Sequence, residues 1–298
     1  MSHTSTAGTL LRGLFDDASL FPPAGLPMSE AVDGHVRHRE AWYSYLTGPF
    51  VCPETRLTQL RSALTAAGLA EIDLSLIVTA GAQAVADSLD AVATDPRLRL
   101  RSVEVPTRLD ATAGQDLATD LAARAVAEVV AALDAVPLAG AAGYIEIPLT
   151  ARGDDILRPI EEHRYRAKLR TGGQAAAAFP DEPALAAALV ELADRRIPFK
   201  CTAGLHHAVR QAAADTGFEH HGFLNLLLAV AAAADGASAE DVASVLAGPD
   251  GDEVAAGIAG LDPLDADRVR ALFISVGTCS TDEPVADLVA LGLISEPG

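Results

Sequence analysis

The feature that most constrains the fold is a regular alternation of strand-like and helix-length segments along all 298 residues. Apolar, β-branched runs bounded by turn residues predict strands at residues 50–53, 73–79, 99–105, 143–149, 165–170, 199–202 and 272–278. Residues 13–21 predict one further, weaker strand, because Pro22 and Pro23 follow it directly. Helices are predicted between the strands at residues 29–42, 54–67, 82–93, 114–135, 152–163, 182–195 and 283–291.

Strands that alternate with helices in this way are typical of a parallel sheet. Eight of them, with no Pro/Ser-rich linker between them, predict an α/β protein made of a single (β/α)8 barrel domain over residues 1–298. Residues 207–271 have a helical pattern throughout, so extra helices are expected between the seventh and eighth strands. A doubly wound sheet is the alternative, and the lack of a GxGxxG turn after an early strand disfavours its nucleotide-binding versions.

The phase of four strands places charged side chains inside the predicted barrel. Alternate residues of a barrel strand face the helices and the interior. The apolar residues of these strands take the outward positions, which turns Glu104, Glu146, Lys168 and Lys200 inward. Buried charges must be paired or functional, and these lie towards the carboxyl ends of the strands, where barrel active sites are found.

Two lysines on neighbouring strands indicate amine chemistry. A neutral lysine is a nucleophile, but its usual pKa of about 10.4 keeps the amine charged at pH 7. A second ammonium group about 5 Å away would lower that pKa by on the order of 2 units, and burial acts in the same direction. A nearby glutamate would oppose the effect, so the balance depends on distances between the side chains. Lys168 and Lys200 are therefore a candidate Schiff-base pair.

The sequences around the two lysines also carry a family resemblance. AKLRTGG, followed about thirty residues later by PFKCTAGLHH, resembles the sixth and seventh strands of deoxyribose-phosphate aldolase-like class I aldolases. The resemblance covers roughly residues 100–210 and implies that Lys168 forms the Schiff base, that Lys200 tunes it, and that Glu104 takes part in proton transfer. The sequence departs from the family pattern at Arg170, and in AGLHH, which lacks the family's glycine pair and following basic residue.

Turns that follow the last strands supply candidates for substrate binding. The candidates are Arg170, Thr171, Gly172, Gly173, Thr202, Gly204, His207, Gly277 and Thr278. Arg170 and its glycine turn could hold a carboxylate or phosphate through the guanidinium group and backbone amides. Many barrels hold phosphate after the eighth strand, where Gly277 and Thr278 lie. Asp16 and Asp17 are interpreted as loop caps rather than catalysts, although Asp16, at the end of a first strand, would also face the mouth of the barrel.

Composition narrows the classes of partner. A net charge of −19 argues against nucleic acid, whose binding needs a basic face. Three cysteines without CxxC spacing predict reduced thiols and a cytoplasmic protein. The longest apolar stretch is too short to span a bilayer. We expect no nucleic acid, membrane or cofactor partner, and either a monomer or a homo-oligomer.

The first functional hypothesis is a Schiff-base carbon–carbon lyase or aldolase that acts on a small anionic carbonyl compound. Lys168 would attack the carbonyl and Lys200 would tune it, while Glu104, Glu146 or His206 would move protons. An imidazole suits that last role because it titrates near neutral pH.

Two alternatives remain open at this stage. A metal-dependent barrel lyase or hydrolase would bind a divalent ion through His206 or His207 with His221 and Glu146, and the lysines would then clamp an anion. Alternatively the barrel is non-catalytic, and its interior charges only neutralise one another.

Overall fold

The computed structural model describes residues 6–107, 115–149, 152–173, 175–213 and 217–297, without the side chains of residues 115–118. Eight parallel strands close into one barrel, in which each strand pairs with the next and the last pairs with the first. The barrel strands are β1 (Phe15–Asp17), β2 (Thr47–Pro53), β3 (Ile72–Ile77), β4 (Leu98–Pro106), β5 (Ala142–Glu146), β6 (Arg166–Arg170), β7 (Phe199–Thr202) and β10 (Phe273–Thr278). Between β7 and β10, the strands β8 (Gln211–Ala212) and β9 (Glu219–His220) form a separate antiparallel hairpin. The predicted (β/α)8 barrel is confirmed.

Helices lie between the strands in the described residues. They are α1 (Thr6–Leu11), α2 (Met28–Glu40), α3 (Leu57–Ala66), α4 (Val85–Ala93), α5 (Gln115–Asp134), α6 (Asp154–Glu162), α7 (Glu182–Asp194), α8 (Phe223–Ala234), α9 (Ala239–Leu246), α10 (Gly251–Gly260), α11 (Pro263–Leu272) and α12 (Asp282–Ala290). Within the described ranges, none of these helices has the length and apolar character needed to cross a membrane. Residue 114 of the helix predicted at 114–135 lies outside the described residues. So do residues 214–216 of the helical region predicted at 207–271.

The first strand is shorter than the predicted 13–21, with only three residues in the ladder. It still pairs with both β2 and β10, and so closes the barrel. Directly after it the chain turns away, because the Ala18 amide donates to the Thr278 carbonyl at 2.8 Å and the Phe21 amide donates back to the Ala18 carbonyl at 2.9 Å. The fifth strand likewise ends at Glu146 rather than at residue 149.

The prediction that residues 207–271 are helical throughout is wrong at its start. The β8–β9 hairpin occupies that part, and Gly217 has a positive φ of +68°, which the interior of a helix does not contain. Gly222 then packs so closely on the Ala208 carbonyl that no Cβ would fit. From Phe223 onward α8 to α11 are the extra helices that were expected.

The two lysine strands form a parallel unit joined by α7. Asp181 caps this helix by accepting a hydrogen bond from the Ala184 amide at 2.8 Å, and Pro183 occupies its first turn. The register of β6 and β7 sets Lys168 directly opposite Lys200. The predicted phase is confirmed on these strands, since Leu169 and the other apolar residues pack outward in the core while both lysines are buried on the inner side.

Candidate active site

A cavity of about 600 Å³ opens at the carboxyl ends of the barrel strands. Its lining includes side chains from the ends of six barrel strands, among them Lys168, Lys200 and Glu104. Barrel enzymes carry their active sites at this end, and the volume lies in the range of small-molecule sites. The cavity is therefore the candidate active site.

Five charged side chains at this cavity are joined by direct contacts, and we refer to Asp16, Glu104, Glu146, Lys168 and Lys200 as the charge network. Lys168 Nζ lies 2.8 Å from Glu104 Oε2 and 2.9 Å from Glu146 Oε2. Lys200 Nζ lies 2.6 Å from Glu104 Oε1 and also contacts Asp16 Oδ2. Glu104 thus bridges the two lysines, one through each carboxylate oxygen.

Polar side chains from other strands complete the hydrogen bonding of the buried carboxylates. Ser75 Oγ donates to Glu104 Oε1 at 2.5 Å, and Ser275 Oγ donates to Asp16 Oδ2 at 2.8 Å. The Lys200 ammonium also lies 5.4 Å from the centroid of the Tyr144 ring, within the range of a cation–π contact. These contacts hold the network in one geometry.

The short distances between the lysines and the carboxylates determine whether the two amines are protonated. Burial lowers the pKa of Lys168, and the Lys200 charge does so too, but Glu104 and Glu146 raise the pKa above its usual range. Burial also lowers the pKa of Lys200, yet Asp16 and Glu104 together raise it above its usual range. Both amines are therefore protonated at neutral pH in the resting protein. The net lowering that a pair of lysines alone would produce does not occur.

The carboxylates of the network differ from one another. Burial raises the pKa of Glu104, but the two lysines bring it well below its usual range. The pKa of Glu146 is also lowered, because Lys168 and Arg170 outweigh burial. Burial raises the pKa of Asp16 above its usual range despite the contact with Lys200. Asp16 is therefore the carboxylate of the network that takes up a proton most readily.

Part of the predicted substrate-binding set lines the cavity, namely Arg170, Gly173, Thr202, Gly204 and Gly277. Arg170 stands at the rim, with 52% of its side chain exposed, and its Nε lies 3.3 Å from Glu146 Oε1. It connects the charge network to solvent at the mouth of the cavity.

The other residues predicted in these turns hold the turns together and do not line the cavity. Thr171 Oγ1 donates to the Ala203 carbonyl at 2.7 Å. Gly172 packs so tightly that a Cβ on it would lie 2.7 Å from Gly204 Cα. Thr278 Oγ1 donates to a backbone carbonyl two residues further on, at 2.8 Å. These hydroxyl groups and Gly172 shape the turns that follow β6, β7 and β10.

His206 is the histidine of the predicted catalytic set, and it lines the cavity. Its Nδ1 lies 3.6 Å from Cys279 Sγ. Burial lowers the pKa of His206 and raises that of the Cys279 thiol, so both groups are neutral at pH 7. A neutral imidazole can accept or donate a proton at the mouth of the site.

The histidines invoked for a metal site point in different directions. His207 Nδ1 lies 3.1 Å from Asp287 Oδ2, and His221 Nε2 lies 2.8 Å from the Pro180 carbonyl. Among the residues that the structure describes, no three His, Cys, Asp or Glu side chains are grouped as a metal ion requires. The ligand set that the metal hypothesis needs is therefore not assembled.

The interpretation of Asp16 as a loop cap is wrong, because it contacts Lys200 inside the barrel. The alternation that turned the other charges inward applies to β1 as well, and the contact agrees with the other expectation, that Asp16 faces the mouth of the barrel. Asp17 does act partly as a cap, since it accepts a hydrogen bond from the Ser19 amide at 3.1 Å. It also lies 3.0 Å from His35 Nδ1.

The sequence carries a further signal in its lysine content. The chain has only two lysines, Lys168 and Lys200, and 20 arginines. Arginine keeps its charge under all physiological conditions and forms better-defined ion pairs with carboxylates, whereas lysine can lose its proton. Both lysines of the chain therefore lie in this cavity, where an amine differs from a guanidinium group in that it can lose its proton.

No protein-family model matches the chain, and no curated protein matches it.

Proposed function

We propose that the protein is a Schiff-base lyase or aldolase that cleaves or forms a carbon–carbon bond beside a carbonyl group. The observation that carries the proposal is that both lysines of the chain line one cavity at the carboxyl end of a barrel, bridged by Glu104. Amines are the groups that form Schiff bases with carbonyl substrates.

Lys168 is the better nucleophile of the two. Both carboxylate partners of Lys200 are almost completely buried, whereas Lys168 shares the partly exposed Glu146 with Arg170. A carboxylate that is divided between two cations and partly hydrated holds each of them less firmly. Lys168 is therefore the lysine that loses its proton more easily.

A continuous chain of contacts lets Lys168 lose its proton without leaving an unpaired buried charge. The chain runs from Lys168 through Glu104 and Lys200 to Asp16. If Lys200 passes a proton to Asp16, and Glu104 relays one from Lys168 to Lys200, the net transfer is from Lys168 to Asp16. The raised pKa of Asp16 makes this end state less costly than it would be with an ordinary carboxyl group, although the raised pKa of Lys168 keeps the amine charged in the resting protein.

The neutral Lys168 Nζ then attacks the carbonyl carbon, and a C–N bond forms. The carbonyl oxygen takes up two protons, one lost by Nζ and one from an acid of the cavity, and leaves as water, which gives an iminium ion. When the bond between the α and β carbons of the substrate breaks, its electron pair moves towards the iminium and an enamine results. The β hydroxyl group gives up its proton to a base of the cavity, and that fragment leaves as a second carbonyl compound. Lys200 stays protonated and stabilises negative charge that develops on oxygen, and His206 can move a proton at the mouth.

Arg170 supports the proposal of an anionic carbonyl substrate. Its side chain is exposed at the rim and can pair with a single carboxylate. A substrate carboxylate that drew Arg170 away from Glu146 would also make Glu146 a better proton acceptor, because Arg170 lowers its pKa.

The three cysteines are buried and free, which agrees with a protein that works in a reducing cytoplasm.

One observation favours a second candidate, a non-catalytic binding barrel. Each lysine has two carboxylate contacts and a raised pKa, as a purely structural network would have. Lys200→Met separates the two candidates. A structural network predicts lost stability with ligand binding kept, whereas the lyase proposal predicts that carbonyl adducts at Lys168 form far more slowly in molecules that remain folded.

Borohydride reduction in the presence of carbonyl compounds tests the proposal directly. A stable adduct on Lys168 is expected, with at most one adduct in the barrel per chain. The proposal is contradicted if Lys168→Ala still cleaves carbon–carbon bonds, or if no adduct forms with any compound of a broad carbonyl panel.

A further inference from the structure

The loops around the cavity mouth give it apolar walls. Phe21, Pro22 and Pro23 line one side, directly after β1. Val51 and Ile77, at the ends of β2 and β3, continue that side. These side chains offer no hydrogen bond to a sugar hydroxyl, and they favour contact with carbon.

An aromatic cluster lines the other side. The Phe179 and His220 rings are stacked, with centroids 4.5 Å apart and planes 17° apart. The centroid of the Phe218 ring lies 5.6 Å from that of the Phe179 ring. The side chains of Phe179, Phe218 and His220 all line the cavity. Flat ring surfaces of this kind favour planar apolar groups.

The polar part of the cavity is already neutralised. In the described lining, the cationic side chains are Lys168, Lys200 and Arg170, and each lies within 3.3 Å of a carboxylate. A phosphate dianion beside the two buried lysines would have to displace these carboxylates or remain partly unpaired, and both are unfavourable in a buried site. Arg170 at the exposed rim is then the one cation of this set that can pair with a substrate carboxylate.

The turn after β10, where many barrels bind phosphate, is occupied by its own contacts. Thr278 Oγ1 donates to the Ser280 carbonyl at 2.8 Å, and the Ser280 amide donates to Thr278 Oγ1 at 3.4 Å. A Cβ on Gly277 would lie 2.8 Å from Thr202 Oγ1, so the turn also packs closely on β7. These groups are engaged with one another rather than directed at a ligand.

We infer that the substrate is a carbonyl compound with an apolar, ring-sized substituent and at most one carboxylate, rather than a phosphorylated sugar. This inference rests on the proposed Schiff-base function. The carbonyl carbon meets Lys168, the substituent lies between the aromatic cluster and the Phe21 side, and a carboxylate reaches Arg170. A cavity of about 600 Å³ has room for all three parts.

Reductive trapping with two aldehydes tests the inference. 3-Phenylpropanal and glyceraldehyde 3-phosphate are each reduced onto the protein, and each yield is divided by the yield on free Nα-acetyl-lysine to correct for intrinsic reactivity. We expect the corrected yield at Lys168 to favour the phenyl compound by at least about tenfold, the size of a hydrophobic-pocket preference. That ratio should fall by about tenfold in Phe179→Ala. It should stay unchanged in Leu264→Ala, which removes a leucine that is 74% exposed on α11.

Two results would overturn the inference and keep the proposed function. They are a corrected yield for glyceraldehyde 3-phosphate equal to or above that of 3-phenylpropanal, or the same ratio in Phe179→Ala as in the wild type. Absence of any Lys168 adduct would instead overturn the proposed function.

Calorimetric titration with 3-phenylpropanoate and 3-phosphoglycerate tests the apolar preference of the cavity even in that case, because it needs no Schiff base. Tighter binding of the phenyl acid, weakened about tenfold in Phe179→Ala, supports an apolar ligand. Equal binding of the two acids, or no binding of the phenyl acid, overturns it.

Discussion

Each oxygen of the Glu104 carboxylate contacts a different lysine amine. Removing this one charge leaves two buried ammonium groups with a single carboxylate partner each. We therefore expect Glu104→Gln to lower the free energy of unfolding at pH 7 by about 3–5 kcal/mol, the usual cost of breaking a buried ion pair.

Urea unfolding of the wild type, Glu104→Gln and Glu71→Gln measures this loss. Glu71 is an exposed glutamate paired with Arg99, and exposed ion pairs contribute little to stability, so the control should change the free energy of unfolding only slightly. A loss in Glu104→Gln no larger than that of the control would show that the bridge is not what holds the two lysines.

Glu146 provides a second prediction, because it is one of the two carboxylates that raise the pKa of Lys168. Glu146→Gln should lower that pKa, so the amine becomes neutral at a lower pH. The pH midpoint of borohydride trapping at Lys168 should therefore move to lower pH. An unchanged or higher midpoint would contradict the assignment, and Glu71→Gln again serves as the control.

At the scale of elements, the turns after β6 and β7 are packed backbone to backbone. Gly204 has φ +75°, and a Cβ on it would lie 2.9 Å from the Thr171 carbonyl oxygen. Gly236 has a similar φ of +83° with open space around it, so it separates the cost of the backbone conformation from the cost of the contact.

We predict that Gly236→Ala costs about 1 kcal/mol of unfolding free energy, the strain of a positive φ. Gly204→Ala should cost about 1–3 kcal/mol more, because the added methyl group has to push two turns apart. Equal losses in the two variants, measured by urea unfolding, would mean that the turns after the lysine strands do not need their close contact.

Most elements could be predicted from their own residues, because alternation and helical periodicity are local properties. The β8–β9 hairpin could not, since its segment carries an acceptable helical pattern and is held by Gly217 and by the packing of Gly222 on Ala208. The length of β1 also escaped prediction. Its three residues are strand because β2 and β10 pair with them from either side.

At the scale of the whole molecule, the site draws on strands far apart in the chain. Lys200 contacts Asp16, which is 184 residues away, and Glu104, which is 96 residues away. Strand phase could turn Glu104 and the lysines inward, and strand count could place them on one barrel. Neither gives the distances that decide whether the carboxylates or the second ammonium group set the pKa of Lys168.

The charge network also gives the stability of the molecule a pH dependence with a definite sign. Glu104 has a lowered pKa when folded, so its contribution is present above its usual value of 4.5 and is lost as the pH falls. The lysines have raised pKa values, so their contribution is present below the usual value of 10.5 and is lost only at higher pH. Asp16 acts in the opposite sense to Glu104, because its pKa is raised and its ionisation above 3.8 costs stability.

We therefore expect the free energy of unfolding to fall as the pH drops below about 4.5, with a smaller fall in Glu104→Gln than in the wild type. Denaturant unfolding of both proteins at pH 7 and pH 3.5 measures the difference. If the wild type and Glu104→Gln differ in unfolding free energy by as much at pH 3.5 as at pH 7, the role given to Glu104 is contradicted.

The central claim is that Lys168 forms a Schiff base, and the lysine content of the chain makes a clean measurement possible. Lys168→Arg and Lys200→Arg each keep a positive charge in the cavity and leave a single lysine in the chain. After reduction with borohydride and 3-phenylpropanal, intact-mass and peptide mass spectra should show an adduct on Lys168 in the wild type and none on a lysine in Lys168→Arg. An adduct on Lys200 in Lys168→Arg at the wild-type yield, or no adduct on Lys168 in the wild type, would contradict the claim.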